Sequence, residues 1–323
     1  MASKVRTAHL FINSKVRSAH PTMRWQVRCA VRTYLLTDKI MSIDEKVIEV
    51  GSLQWFYRET NPVNESDKPP VLLLHGLPSQ SFTWTAIMPD LAAQGFRSIA
   101  PDWVGYGRST KPDKRDFAYT PDAFVEALAG FIQALEIDRF YLVVQGFLAS
   151  AGIQYALRNP DKIERLAVIN TPVSADIKLP WKMQQLGLPF IGDMMTQDPL
   201  LVDRTLEGGC RKTISDKDLD VYRRPFLKSS DAGRSLMNTV RNIQLPQSMA
   251  EIESGFQGWT RPTLFVWGLT DPWLSVEPAQ KLVSSLQNAE LVKVEKAGHY
   301  PQEHWSEKVG EALITFLRRK EVN

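Results

Sequence analysis

Short apolar runs alternate with helical patterns along most of this chain, and this alternation restricts the fold more than any other feature. Strand-sized apolar runs occupy 71–75, 96–100 and 140–144, and an amphipathic helix is predicted over 121–135. Parallel strands need crossover connections, which helices usually supply, so strand-helix alternation indicates a parallel sheet. We therefore predict an α/β fold with a mostly parallel central sheet flanked by helices.

The alternation is interrupted once, between residues 172 and 258. Helical segments with several Pro and Gly replace the strand pattern there, and a buried strand pattern resumes near Thr263. We predict a helical cap at 172–258, inserted into a core formed by 42–171 and 259–323. Alternating apolar and polar residues around Gly51 predict a β-hairpin at the start of that core.

The charge of the chain is unevenly distributed. Residues 1–37 contain seven Lys or Arg residues and no acidic residue, a composition typical of an organelle transit peptide. We expect import into a plastid (chloroplast), with the mitochondrion as the alternative. A second interpretation of residues 1–37 is a basic arm that binds an anionic surface. Subtracting seven from the formal charge of +3 leaves −4 for the remainder. This removes the electrostatic argument for a nucleic-acid partner.

Several other classes of protein are disfavoured by composition. The sequence lacks a run of roughly 18 to 20 uninterrupted apolar residues, so we do not expect an integral membrane protein. The two cysteines, Cys29 and Cys210, and the five histidines do not have the spacing of a disulfide framework or a metal site. We expect neither a metal ion nor another cofactor.

Four ordered motifs carry a resemblance to a known family. They are Leu-Leu-Leu-His-Gly-Leu-Pro at 72–78, Ala-Pro-Asp-Trp-Val-Gly-Tyr-Gly-Arg-Ser at 100–109, Trp-Gly-Leu-Thr-Asp-Pro-Trp at 267–273 and Ala-Gly-His-Tyr-Pro at 297–301. From about residue 42 onwards the chain resembles the α/β-hydrolase superfamily, especially its branch of haloalkane dehalogenases and epoxide hydrolases. The resemblance implies an α/β-hydrolase fold.

The same resemblance implies roles for four residues. His299 matches the catalytic histidine of the family, and Asp271 matches the carboxylate that orients it. Such a carboxylate holds the imidazole in one tautomer and stabilises its protonated form. The backbone N–H groups of Leu77 and Phe147 match the oxyanion hole, where preorganised donors stabilise negative charge developing on a substrate oxygen.

The nucleophile elbow departs from the family pattern. A small-x-nucleophile-x-small turn is expected, and the chain has Val-Gln-Gly-Phe-Leu at 144–148, which puts Gly146 at the nucleophile position. Glycine accepts positive φ, so the strain that a nucleophile normally bears on this turn is released. Val144 and Leu148 replace the small flanking residues of the family pattern, so we expect the turn that presents the Phe147 N–H to be altered.

Ser150 is the alternative nucleophile, because it lies in the half-matching stretch 148–152. Family spacing disfavours it: the helix after the elbow ends at an Asn-Pro pair about 14 residues beyond the nucleophile, and Pro160 lies 14 residues after Gly146. If Ser150 were the nucleophile, only ten residues would separate it from Pro160, and the helix would be about 6 Å shorter than the family spacing requires. We therefore take Gly146 as the nucleophile position.

Covalent hydrolysis needs a nucleophilic atom that glycine lacks. The sequence favours a pseudo-hydrolase (pseudoenzyme) that binds a hydrophobic small molecule or a protein partner. One alternative is an enzyme that uses the Asp271 and His299 pair as a general base without a covalent intermediate, of hydrolase, lyase or decarboxylase type. A serine hydrolase that uses Ser150 is the second alternative.

Overall fold

The computed structural model describes residues 42–319, so the predicted transit peptide at 1–37 lies outside the described residues. The described part contains one sheet of eight strands in the order β1-β2-β4-β3-β5-β6-β7-β8. The strands are β1 Asp44–Val50, β2 Leu53–Thr60, β3 Val71–Leu74, β4 Ser98–Pro101, β5 Phe140–Gln145, β6 Ile163–Ile169, β7 Thr263–Gly268 and β8 Ala289–Val294. Strand β2 is antiparallel to both β1 and β4, and all other neighbours are parallel.

Helices cover the sheet and connect its parallel strands. They are α1 Met88–Ala93, α2 Pro121–Ala134, α3 Ser150–Arg158, α4 Trp181–Leu186, α5 Ile191–Thr196, α6 Leu201–Cys210, α7 Asp216–Lys228, α8 Ser230–Asn242, α9 Leu245–Phe256, α10 Glu277–Ser285, α11 Pro301–His304 and α12 Ser306–Leu317. The predicted mostly parallel α/β-hydrolase fold is confirmed, and so is the N-terminal hairpin, because β1 and β2 pair around Gly51.

Local chemistry explains where these elements begin. Helix α2 starts where the sequence pattern predicts, since Thr120 Oγ1 accepts a hydrogen bond from the Ala123 N–H at 3.3 Å and Pro121 takes the first helical position. Helix α3 starts at Ser150 because a turn occupies the preceding residues 146–149. That turn carries Gly146.

Strand alternation divides the core into two buried layers. Leu72 and Leu142 project to one face, against α2 and α3, whereas Leu73 and Val143 project to the other, against α1 and α12. The first layer extends into the six helices α4 to α9, here called the cap helices, which lie in the chain between β6 and β7. None of the described helices is long and apolar enough to cross a membrane.

Candidate functional site

The turn after β5 brings Gly146 beside the histidine loop. Gly146 has φ +80°, a conformation that side-chain-bearing residues rarely adopt. A β-carbon built on Gly146 would lie 3.4 Å from His299 Nε2 and 3.0 Å from Gly76 Cα. The structure therefore places Gly146, rather than Ser150, at a position whose side chain would point at the imidazole.

The turn after β3 packs against this elbow through Gly76. A β-carbon on Gly76 would lie 2.7 Å from the Gln145 carbonyl oxygen and 2.8 Å from Gly146 Cα, so only glycine fits between the two backbones. The two predicted oxyanion donors are the backbone N–H groups of Leu77, which follows Gly76, and Phe147, which follows Gly146. Within residues 42–319, neither the Leu77 N–H nor the Phe147 N–H donates to a protein acceptor.

The loops after β7 and β8 bring Asp271 and His299 together. Asp271 Oδ2 lies 2.8 Å from His299 Nδ1, and both side chains are fully buried. The same oxygen accepts a hydrogen bond from Asn170 Nδ2 at 2.8 Å. Asp271 Oδ1 accepts from the backbone N–H groups of Trp273, at 2.8 Å, and Leu274, at 3.1 Å. Four donors thus hold this carboxylate in one orientation.

The imidazole of His299 is enclosed by aromatic rings. Its centroid lies 5.5 Å from that of Phe147, 4.7 Å from that of Trp273 and 4.8 Å from that of Tyr300. The His299 backbone N–H donates to the Gly209 carbonyl at 2.8 Å, so cap helix α6 closes directly over the histidine loop. The Nε2 atom is buried and has no hydrogen-bond partner among the described residues.

Ser150 stabilises the elbow turn through a hydrogen bond to a backbone carbonyl. It is buried at the start of α3, and its hydroxyl donates to the Phe147 carbonyl at 2.7 Å, which closes the elbow turn. Since His299 Nε2 has no partner in the described chain, the Ser150 hydroxyl is not hydrogen-bonded to the imidazole. This geometry disfavours the serine-hydrolase alternative.

Asn170, Gln145 and Gly209 contribute to the site in ways that the sequence motifs do not predict, although Gln145 lies within the elbow motif at 144–148. Asn170 follows β6 at the same sheet edge as the other loops, and that position is the only signal that marks it. Gln145 donates from Nε2 to the His299 carbonyl at 2.8 Å, and Gly209 contacts the site through the cap. Sequence reasoning missed them because their contacts cross between elements far apart in the chain.

An apolar cavity of about 10 Å³ lies between Leu77 and the cap helices, and Gly146, Asp271 and His299 do not line it. Within 42–319, no group of three or more His, Cys, Asp or Glu side chains is arranged to hold a metal ion.

A buried carboxyl on α11 joins the cap to the core near the histidine loop. Glu303 Oε1 accepts hydrogen bonds from Thr83 Oγ1, at 2.6 Å, and from the Tyr222 hydroxyl of α7. Burial raises the pKa of Glu303 from 4.5 to about 7, and the two hydroxyl donors only partly offset that effect. The folded protein therefore keeps this carboxyl protonated at mildly acidic pH, where a free glutamate is already ionised.

Glu303 should make the protein less stable as the pH rises. The unfolded chain releases this proton near pH 4.5 and the folded protein near pH 7, so the free energy of unfolding falls across that window and levels off above it. We expect Glu303→Gln to remove roughly 2–3 kcal/mol of this fall, measured by urea unfolding from about pH 5 to about pH 7.5. Glu311→Gln, at an exposed position, is the matched control. A wild-type and a Glu303→Gln profile that run parallel would contradict the assignment.

Known proteins resemble this chain over most of its length. The family model for the alpha/beta hydrolase fold matches residues 69–304. A haloalkane dehalogenase of Mesorhizobium japonicum is 27% identical over 270 residues, which is 77% of this chain and 84% of that protein. A haloalkane dehalogenase of Psychrobacter cryohalolentis is 28% identical over 279 residues, covering 83% of this chain and 89% of the relative. The crystal structure of haloalkane dehalogenase DbeA from Bradyrhizobium elkani is 26% identical, covers 85% of this chain and 98% of its own, and has a TM-score of 0.75.

Proposed function

The chain belongs to the α/β-hydrolase fold family, and on this premise we propose that it binds a hydrophobic ligand without catalysing a covalent reaction. One observation carries the proposal: Gly146 has no side chain at the point that faces His299 Nε2. Opening an alkyl halide, epoxide or ester through an enzyme-bound intermediate requires a nucleophilic side chain on the protein. A glycine at the elbow supplies no nucleophilic atom.

The surroundings of Leu77 support a hydrophobic ligand. The small cavity beside it is lined by Pro78, Met183, Leu186, Thr205, Leu236 and Val240, of which only Thr205 has a polar side chain. Its volume of about 10 Å³ is close to that of one water-sized probe, so this cavity would have to widen between the cap and the core to hold a larger ligand. A hydrophobic small molecule held between the cap and the core is the ligand that we propose.

A protein partner is the second kind of ligand that the cap supports. Large apolar side chains are exposed on and beside α4 and α5, at Trp181, Leu188, Phe190, Ile191, Met194 and Leu200. Phe190 is 86% exposed, although exposing large apolar side chains as a group is unfavourable unless they meet a ligand or partner. We propose that these residues contact the partner if the ligand is a protein.

Halide release from 1-bromohexane tests the absence of covalent catalysis. We expect the wild-type protein and His299→Ala to release bromide no faster than buffer, with a haloalkane dehalogenase as the positive control. We also expect 1-hexanol or 1-bromohexane to raise the melting temperature, because a ligand that binds only the folded state at 100 times its Kd adds about 2.7 kcal/mol of stability. Bromide release that His299→Ala abolishes would contradict the proposal.

A general-base enzyme is the second candidate, and the unpartnered His299 Nε2 favours it. Asp271 holds the imidazole so that Nε2 is free to take a proton from water or from an acidic substrate. A panel of esters, thioesters, epoxides and β-keto acids should then show turnover that falls about 10²- to 10⁴-fold in His299→Ala. Equal rates in the two proteins would reject this candidate.

A further inference from the structure

A second, open cavity of about 760 Å³ lies between the core and cap helix α7. We call it the basic pocket, because five of its lining residues carry positive charge and one carries negative charge. These six residues are Arg58, Arg108, Lys111, Arg224, Lys228 and Glu45. Gly146, Asp271 and His299 do not line it, so the basic pocket is a different site from the candidate active site.

The charge of the basic pocket is opposite to that of the chain around it. Its charged lining sums to +4, from five cations and one carboxylate, whereas the chain after residue 37 sums to −4. Crowding like charges into one concave surface is unfavourable and raises the local concentration of counter-ions. An anion is therefore the chemistry that this pocket favours.

The core wall of the pocket holds its guanidinium groups in place. Arg58 donates from Nη1 to Ser81 Oγ at 2.6 Å and from Nη2 to Glu45 Oε1 at 3.1 Å. Its side chain is only 7% exposed, and its guanidinium lies 5.7 Å from the centroid of the Phe82 ring. The second oxygen of Glu45 pairs with Arg108. One carboxylate is thus shared by two guanidinium groups.

Two lysines on opposite walls lack a carboxylate partner. Lys111 donates from Nζ to the carbonyl oxygens of Gly107, at 2.7 Å, and Ser109, at 3.0 Å, and burial lowers its pKa. Lys228, at the end of α7, forms no ion pair with a carboxylate of residues 42–319. An anion between the two walls would compensate both ammonium groups.

We propose that the basic pocket binds a small organic phosphate. Guanidinium groups match phosphate oxygens in a forked geometry, and ammonium groups add charge without that geometric demand. Phe82, Val221 and Pro225 form an apolar part of the lining, which suits the organic portion of the ligand. The volume falls within the range of small-molecule pockets, about 300–1,000 Å³.

The hydrogen bond from Gln80 Nε2 to the Val221 carbonyl, at 2.6 Å, joins the core wall to helix α7 at this pocket. Cation-lined walls from two separate parts of the chain are therefore held facing each other before a ligand arrives. Such preorganisation reduces the cost of ordering side chains on binding.

Calorimetric titration with phenyl phosphate tests the charge of the pocket. At low salt, about 20 mM, we expect saturable binding to one site that weakens as salt is added. Lys228→Glu should weaken binding about tenfold, by reversing a charge within the pocket. Lys217→Glu, on the same helix but outside the pocket lining, should leave the affinity within about twofold. Equal weakening by both variants, or no saturable binding, would overturn the proposal.

A comparison of ligands tests the apolar part of the lining. Phenyl phosphate should bind more tightly than methyl phosphate, and Phe82→Ala should reduce that difference while leaving methyl phosphate binding nearly unchanged. The melting temperatures of Phe82→Ala and Lys228→Glu establish whether each variant is folded. Because Lys228 is exposed, Lys228→Glu should fold and still tests the proposal if Phe82→Ala does not. Equal affinity for the two phosphates, or equal binding of phenol and phenyl phosphate, would reject an organic phosphate as the ligand.

Discussion

Gly146→Ser is expected to react covalently with a serine-directed phosphonate, whereas the wild-type protein is expected not to react. The β-carbon of the new side chain would lie 3.4 Å from His299 Nε2, which brings its hydroxyl oxygen within hydrogen-bonding reach of the imidazole. Asp271 already orients that ring through Nδ1. The substitution would supply the one missing member of a nucleophile, histidine and carboxylate arrangement. Intact-protein mass spectrometry measures the labelled fraction.

The same substitution should cost stability. A side chain at φ +80° is strained, and Gly76 Cα, 3.0 Å from the new β-carbon, has to shift by a few tenths of an ångström. We expect a loss of about 1–3 kcal/mol in the free energy of unfolding. Gly146→Ala is the matched control, because it carries the same strain without a hydroxyl and should remain unlabelled. Labelling of the wild type that peptide mapping places on Ser150 would identify that hydroxyl as reactive, and a folded but unlabelled Gly146→Ser would show that the site cannot activate a serine at residue 146.

Asp271→Ala is expected to destabilise the protein by about 3–5 kcal/mol, whatever its effect on catalysis. Four donors lose their acceptor at once: His299 Nδ1, Asn170 Nδ2 and the backbone N–H groups of Trp273 and Leu274. Each buried donor left without a partner costs about 1–3 kcal/mol, and relaxation of the loop recovers part of the sum. Urea unfolding measures the difference.

The exposed Asp138 provides the control for this experiment, and Asp138→Ala should change stability by less than about 0.5 kcal/mol. A large loss for Asp271→Ala means that the fold itself requires the Asp271 and His299 pair, so its presence does not argue for catalysis. If the loss were below about 1 kcal/mol, the pair would not be needed for folding, and the general-base candidate would gain support.

Gly146 and Asp271 together separate two properties of the site. The first experiment asks whether the remaining groups can support a covalent step once a nucleophile is added. The second asks whether those groups contribute to the fold. A protein that passes the first test and loses stability in the second has kept the geometry of a hydrolase for structural reasons.

Periodicity and local capping were enough to predict the elements that form the fold. The sheet strands follow apolar runs, and Thr120 begins α2 through a hydrogen bond between residues three positions apart. The motifs at 267–273 and 297–301 were enough to single out Asp271 and His299, and the carboxyl ends of the parallel strands β7 and β8 bring their loops to one sheet edge. The position of Gly146 on the elbow also follows from spacing to Pro160.

Contacts between distant segments were decided only by the tertiary structure. Gly209 closes over His299, Asn170 bonds to Asp271, and Glu303 links Thr83 to Tyr222. Such contacts depend on how the cap helices pack on the sheet, and they leave no periodic pattern in the sequence. The basic pocket has the same origin, because its cations come from β2, the turn after β4 and α7. Local hydrogen bonding and hydrophobic spacing determine the elements, whereas burial and charge at a site depend on segments that meet only after folding.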